Sequence, residues 1–388
     1  MQSIIVVGSN YATALGVVRS IGMAGYNVRF LAQNKDCYNL LKSSRYVEKC
    51  ERCNTNWDST FSGLEKLREM EKKNLILPTS DIAVYQLINN VEKIEGNYSF
   101  PNLALGKQQL NYLLKKENQK KLAKEAGLSI PEGYIYNTNI DDIHFVLNKT
   151  NFPCVMKAAS SVECLGTKEL FNICNNKAEL KEAIEKAKYF KCEEVIIEDY
   201  IKADNELCIY GVAFNDEILI PACLITLRSG RGRHIGVTAE GIMTKSSLVG
   251  EDLDRIKTFI RKSKIEGLFC IDIIESDGKL YFIELNLRYG SSGFAVTLGG
   301  ANLPKAYVDS FFNTKIEDNN RSFISEVHFI NEKVELDDYR SGIVTWKQYR
   351  KQQSNNLTGL IRWDEDMHVW REFKILEKRK RLAKLIKK

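Results

Sequence analysis

The sequence predicts a mixed α/β and α+β architecture, in which an N-terminal open, mostly parallel α/β unit is followed by a strand-rich region. Three observations carry that reading. Strand and helix patterns alternate over residues 1–107, the rhythm of βαβ units. Past Ser129-Ile130-Pro131 the alternation gives way to strands separated by turns, with few helices. Near the end of that stretch, residues 270–274 and 279–286 flank Ser276-Asp277-Gly278, a turn sequence that strongly favours a hairpin. A chain of 388 residues suits two or three packed units rather than one.

In order along the chain, Ile4-Ile-Val-Val-Gly8 reads as a strand, residues 13–25 as a helix, 27–32 as a strand, 75–80 as a strand and 81–94 as a helix. Open parallel sheets gather ligands at the carboxyl ends of their strands. Gly8-Ser9-Asn10 and Thr79-Ser80-Asp81 occupy such ends, which makes Ser80 and Asp81 candidate substrate contacts. A dinucleotide site is disfavoured, because Gly8 and Gly16 are separated by seven residues and do not form GxGxxG. Residues 108–126 read as one helix closed by Gly127 as C-cap. After it come the strand Phe-Pro-Cys-Val-Met-Lys-Ala-Ala, a loop, a helix at 178–188 and the strand Glu-Glu-Val-Ile-Ile-Glu-Asp-Tyr-Ile. Residues 207–286 are strand-rich around one helix at 253–264.

A hydrophobic content of 44% with 27% charged residues is that of a folded, water-soluble chain. No apolar run is long enough to span a bilayer and the first strand lacks a basic leader, so a cytoplasmic location is expected. The ten cysteines are irregularly spaced in apolar surroundings and read as reduced core residues. Cys50-Glu-Arg-Cys53 is a lone CxxC in a chain with four histidines, which argues against zinc. The whole net charge of +6 lies in residues 376–388, with seven basic residues against one acid. A neutral body offers no extended basic face, and no nucleic-acid partner is expected. The tail itself reads as a solvated helix end, or as a weak peripheral contact with an anionic membrane surface.

The hairpin carries the first chemical signal. Asp272 lies on one strand, and Glu284 and Asn286, two residues apart, project from one face of the other. Three hard oxygen donors then converge, a set that suits Mg²⁺ completed by water and substrate phosphates. Glu284 sits inside Leu-Tyr-Phe-Ile-Glu-Leu, where an unpaired buried carboxylate would cost several kcal/mol. Lys157, near the end of an apolar strand and followed by the small-residue loop 160–167, suits a phosphate clamp. Downstream, Glu198-Asp199-Tyr200-Ile201 ends a buried strand whose edge can bond an adenine, and Glu206 follows within reach of ribose hydroxyls. The segment Thr226–Gly236 places Arg228, Arg231 and Arg233 among three glycines, either as a mobile basic cover that binds an acidic co-substrate or as an exposed loop.

The order of these signals over residues 108–300 resembles the ATP-grasp superfamily. Ala14–Gly25, Ser44-Arg-Tyr-Val47 and Leu77-Pro-Thr-Ser-Asp81 are similar to the pre-ATP-grasp domain of carboxylate-amine ligases of the D-aspartate ligase group. The resemblance implies a pre-ATP-grasp domain at 1–107 and a two-subdomain ATP-grasp fold at 108–314. Its nucleotide subdomain would span 150–205 and its metal-site subdomain 206–314, ahead of a C-terminal segment at 315–388. It implies ATP as co-substrate with Mg²⁺, or Mn²⁺ in its place. ATP would be held by Lys116, with Lys120 as its neighbour candidate one turn on, and by Lys157, Gly166, Glu198, Asp199, Tyr200, Ile201 and Glu206. Asp272, Glu284 and Asn286 would hold metal, while Arg288 would contact the acyl phosphate or substrate carboxylate and act with Lys157 in catalysis.

The implied reaction joins a small amino-acid-like carboxylate to an amine through an acyl phosphate, with a homodimer as a common assembly. Three departures from the family pattern qualify it. The loop 160–167 has one glycine, Cys270 stands where an arginine is frequent, and Lys115 replaces an aspartate. The first two keep open a non-catalytic ATP-binding regulator; a separate alternative is an ATP-grasp enzyme using bicarbonate or a nucleotide-linked sugar.

Overall fold

The computed structural model describes residues 3–70, 72–94, 96–160, 170–230, 236–314, 322–354 and 357–386. Five parallel strands, β1 (Ser3–Gly8), β2 (Val28–Ala32), β3 (Val47–Arg52), β4 (Asn74–Pro78) and β5 (Tyr98–Ser99), form a sheet in the order β3-β2-β1-β4-β5. Strand β1 is buried throughout because both its faces are covered. Ile4 and Val6 enter one core, Ile5 and Val7 the other. The order reverses between β1 and β4, so the crevice of this sheet opens where Gly8 and Thr79 end their strands. A Cβ on Gly8 would stand 2.1 Å from the Thr79 hydroxyl oxygen, and one on Gly16 would meet Phe294 at 3.2 Å. Both glycines therefore serve close packing, which explains their non-nucleotide spacing.

A second sheet has its own small core. Strands β6 (Gly133–Asn137), β7 (Cys154–Ala158), β8 (Asn172–Cys174) and β9 (Glu194–Asp199) pair antiparallel in the order β6-β9-β7-β8. Helix Lys177–Tyr189 buries Leu180, Ala183 and Ile184 in that core with Met156 and Ile197. The third sheet comprises β10 (Asn205–Phe214), β11 (Glu217–Ser229), β12 (Thr238–Lys245), β13 (Gly267–Ser276), β14 (Lys279–Asn286), β15 (Val327–Ile330) and β16 (Thr358–Gly359). Its order is β14-β13-β10-β11-β12-β15-β16, so the C-terminal segment extends the same sheet that carries the hairpin. Alternate residues split its faces, as Tyr210 and Leu224 do from Ile209 and Cys223.

One expectation fails in an informative place. The helix read as continuous over 108–126 is two helices, Gly106–Leu114 and Lys116–Glu125, because Lys115 is extended at φ −86° and ψ 120°. Its backbone pairs instead with Ser160 in an isolated bridge, and the Lys116 N–H donates to the Ala159 carbonyl at 3.3 Å. A tertiary strand contact thus overrides a sequence with good helix propensity throughout.

The C-terminal segment is bound to the first sheet by a buried charge. Arg19 is 0% exposed, and its guanidinium donates to Asp366 at 3.0 Å and to the carbonyls of Leu360 and Ile361 at 3.0 and 2.9 Å. Asp366 also accepts from the Ser44 hydroxyl at 2.7 Å and the Arg45 N–H at 2.9 Å. The final helix, Met367–Ile386, buries Val369, Phe373 and Leu376, and Lys380 pairs with Asp36. The start of the basic tail is therefore packed against the protein through Leu376, Glu377 and Lys380, while Lys378, Arg379 and Arg381 are exposed. Among the described residues, no helix is long and apolar enough to cross a membrane. Among the described residues, eight cysteines are free thiols, Cys50 and Cys53 included, whereas Cys192 is disulfide-bonded and departs from the expected all-reduced pattern.

Removing Asp366 would strand the Arg19 charge in the interior. Asp366→Ala is expected to cost about 3–5 kcal/mol in urea unfolding. A loss below about 1 kcal/mol, the value of a surface pair, would show that this contact does not hold the segment.

Candidate active site

The hairpin is built as the sequence implies at its turn, where Asp277 and Gly278 adopt φ of 50° and 69°. Its strands carry a bulge that the sequence does not announce. Ile273 faces Phe282, yet Asp272 faces Glu284, so one extra residue of β14 is inserted between them. Without it Ile283 would oppose Asp272. The bulge sets the two carboxylates side by side, and Asn286 donates to Asp272 at 3.2 Å.

Two lysines approach from separate elements. Lys116, the first residue of its helix, reaches Glu284 at 3.1 Å, and Lys157 at the end of β7 reaches Glu198 at 2.6 Å. Lys120, one turn beyond Lys116, also pairs with Glu198. Lys120, Lys157 and Glu198 are 7%, 7% and 4% exposed, so this triad is effectively out of water.

The electrostatics follow from that burial. Desolvation would raise the Glu198 carboxyl, but the ammonium groups of Lys157 and Lys120 outweigh it and hold it below the ordinary value. Burial lowers Lys157, and Lys120 and Lys116 push the same way; with Glu198 only partly offsetting them, its pKa falls. Burial would also lower Lys116, yet Glu284 outweighs it and the pKa rises. Asp272 is pushed up by burial and then by the Glu284 charge beside it.

Arg288 joins this site to the first sheet. It donates to the Asp81 carboxylate at 2.8 and 3.2 Å, to Asn286 Oδ1 at 3.2 Å and to the Tyr289 carbonyl at 3.2 Å. Burial would lower its pKa, but Asp81 reverses the shift and raises it. Of the two strand-end candidates, Asp81 faces the site. Ser80 turns inward, where its hydroxyl donates to Gln33 at 3.0 Å and caps the Ala83 N–H at 3.3 Å.

The remaining candidates divide. Strand β9 lies between β6 and β7, so the free edge expected of it is absent through Asp199, whose N–H donates to the Glu132 carbonyl. The Tyr200 N–H donates to the Pro153 carbonyl at 3.3 Å, and Ile201 continues the chain past this pairing. Glu206 opens outward near the start of β10 and accepts from the Ser229 hydroxyl at 2.6 Å. Arg228 is turned onto helix Glu332–Arg340, where it pairs with Glu335 and lies 3.6 Å from Asp338. Gly166, Arg231 and Arg233 lie outside the described residues.

One residue was absent from every motif. Gln119 is 3% exposed and brackets Leu285, accepting from its N–H and donating to its carbonyl, both at 2.9 Å. The signal for it was a polar residue on the same helix face as Lys116 and Lys120, at a spacing that should be apolar core.

The oxygen set fits a hard divalent cation. Asp272 and Glu284 repel each other across β13 and β14, and Asn286 adds a neutral amide oxygen. Among the described residues no three His, Cys, Asp or Glu side chains form a closed cage. That composition suits Mg²⁺, which leaves several positions to water and phosphate.

The chain is similar to known proteins in sequence and in fold. Residues 115–306 match the family model described as carbamoyl-phosphate synthase L chain, ATP binding domain. The carbamoyl phosphate synthase large chain of Methanosarcina barkeri is 26% identical over 171 residues, covering 43% of this chain and 15% of that protein. The chain spans less than half the length of the curated relatives it matches. In structure it is similar to the N5-carboxyaminoimidazole synthetase of Staphylococcus aureus complexed with ADP, with a TM-score of 0.65, 16% identity and coverage of 88% and 86% of the two chains. It is also similar to the L-amino acid ligase of Bacillus licheniformis, with a TM-score of 0.62, 12% identity and coverage of 85% and 80%. These likenesses share the fold.

The depressed Glu198 carboxyl has a measurable consequence. A carboxylate whose folded pKa lies below its unfolded value contributes stability above the unfolded pKa and loses it as pH falls. The stability difference between wild type and Glu198→Gln should be largest above about pH 4.3, the ordinary glutamate value, and shrink below it. A difference in urea unfolding that stays constant from neutral to acid pH would remove the lysine pairing as its source.

Proposed function

We propose that this chain is an ATP-dependent carboxylate-amine ligase of the ATP-grasp superfamily. It would phosphorylate an amino-acid-like carboxylate with ATP and pass the acyl group to an amine, releasing ADP and phosphate. One observation carries this reading above the others. Lys116 and Lys157, from two different sheets' surroundings, converge on the acids Glu284 and Glu198, beside the oxygen set of Asp272, Glu284 and Asn286.

Such a cluster is arranged for polyphosphate. Lys116 and Lys157 would exchange their carboxylate partners for phosphate oxygens, and Asp272, Glu284 and Asn286 would hold Mg²⁺. The bound cation neutralises charge on the phosphates. Glu198, fixed by Lys120, would hold Lys157 at the cleft until phosphate takes it over, and the strand end at Tyr200 and Ile201 would support adenine binding. Glu206 is the ribose candidate. Arg288 would steady the negative charge that develops on the transferring phosphoryl group and the acyl phosphate. An amine nucleophile needs placement and loss of a proton rather than a side-chain attack, so no nucleophilic residue is required.

A screen of amino-acid pairs with ADP release and product mass tests the reading, with a bicarbonate arm to separate carboxylation. Substrate-dependent ADP release should fall by about 10²–10³-fold in Lys157→Ala and Glu284→Ala, as for loss of one preorganised electrostatic group. ATP binding without ADP release from any acid or amine would instead favour an ATP-binding regulator.

A further inference from the structure

The geometry points to Gln119 as a positioning residue that fixes the metal-holding strand to the phosphate-binding helix. The inference rests on the ligase reading above and adds to it a residue that none of the motifs contains. Strand β14 is an edge of the seven-stranded sheet; Ser129 bridges it at Tyr281 and accepts from the Phe282 N–H at 2.8 Å, but no strand runs alongside. An edge N–H and C=O buried without partners would be costly. At Leu285, between Glu284 and Asn286, a side chain replaces the missing strand. The Gln119 amide oxygen accepts from the Leu285 N–H at 2.9 Å and its NH₂ donates to the Leu285 carbonyl at 2.9 Å. A carboxamide has the same donor and acceptor as a peptide unit, and here it is used as one.

The second NH₂ hydrogen is also spent. It donates at 2.7 Å to the Leu113 carbonyl, at the end of the helix that precedes the break at Lys115. One side chain therefore joins three things: the break that places Lys116, the helix that carries Lys116, and the peptide between Glu284 and Asn286. The separation of Lys116 from Glu284, 3.1 Å, is set by this clasp as well as by the ion pair. A glutamine that merely filled the core would have no reason to bond the backbone between two candidate metal ligands.

Isothermal titration of the full chain with ADP, once with MgCl₂ and once with EDTA, tests the role without relying on turnover. Wild type should bind ADP more tightly with magnesium. In Gln119→Met, which keeps length and loses both strand bonds, that magnesium-dependent gain should fall by about tenfold, the lower end for outer partners of metal ligands. Affinity in EDTA should be unchanged. Gln119→Glu keeps the acceptor and loses the donor, and should show an intermediate loss; if the methionine variant does not fold, this variant alone decides. A full magnesium gain in either folded variant, or an equal loss with and without magnesium, would overturn the positioning role while leaving the ligase reading intact. A wild-type protein with no magnesium gain would overturn both.

Discussion

A charge taken out of water must find a partner, and the cleft between the second and third sheets is built around that constraint. Lys157, Lys120 and Glu198 are each less than a tenth exposed, and an uncompensated charge in such a place costs several kcal/mol. The protein resolves the problem internally. Cations suited to phosphate are paired with carboxylates, one of which is also suited to metal. On the proposed function, nucleotide and cation then enter by exchange of partners. Lys116 is released from Glu284 only when phosphate can take the lysine and a cation can take the glutamate. Either one arriving alone would take one member of this partly buried pair away from the other.

That exchange needs the two sides to be held at fixed spacing, and the short helix Lys116–Glu125 does this. Its first residue meets the end of β7, its middle grips β14 through Gln119, and Lys120 grips β9 through Glu198. The first sheet is the floor beneath. Arg288 ties it to the hairpin through Asp81, and the buried pair of Arg19 with Asp366 ties it to the C-terminal segment. That segment also supplies β15 and β16 to the third sheet, so floor and wall share one covalent strap.

Much of this was legible in the sequence where the signal is local. The parallel unit follows from the βαβ rhythm, and the hairpin from Ser276-Asp277-Gly278 between apolar strands. Lys157 and the Glu198 strand are visible because a charge inside an apolar run demands a reason. What escaped is tertiary. The break at Lys115 occurs because its backbone pairs with Ser160, 45 residues away in sequence, and nothing in the local composition marks it. The bulge in β14 is equally silent, since Leu-Tyr-Phe-Ile-Glu-Leu alternates no differently with or without an extra residue. Arg228 looked available in an arginine-rich loop, but Glu335 and Asp338 lie more than 100 residues further on, and only the fold brings them to it.

Arg288 narrows how the site can treat its acid substrate. A guanidinium has five N–H donors, and here four are engaged: two with Asp81, one with Asn286 and one with the Tyr289 carbonyl. A substrate carboxylate cannot be gripped by two parallel bonds while Asp81 holds that edge. One donor on Nη1 is enough, however, to meet a phosphoryl oxygen as charge builds on it. Cys270 offers no second guanidinium, and beside it lies the aromatic pair of Tyr210 and Tyr289, edge to face at 5.3 Å. The arrangement therefore suits Arg288 to the acyl phosphate more than to the free acid. On the proposed function, recognition of the acid falls to groups on the floor side of the cleft, and Asp81 keeps the arginine charged and aimed until phosphate arrives.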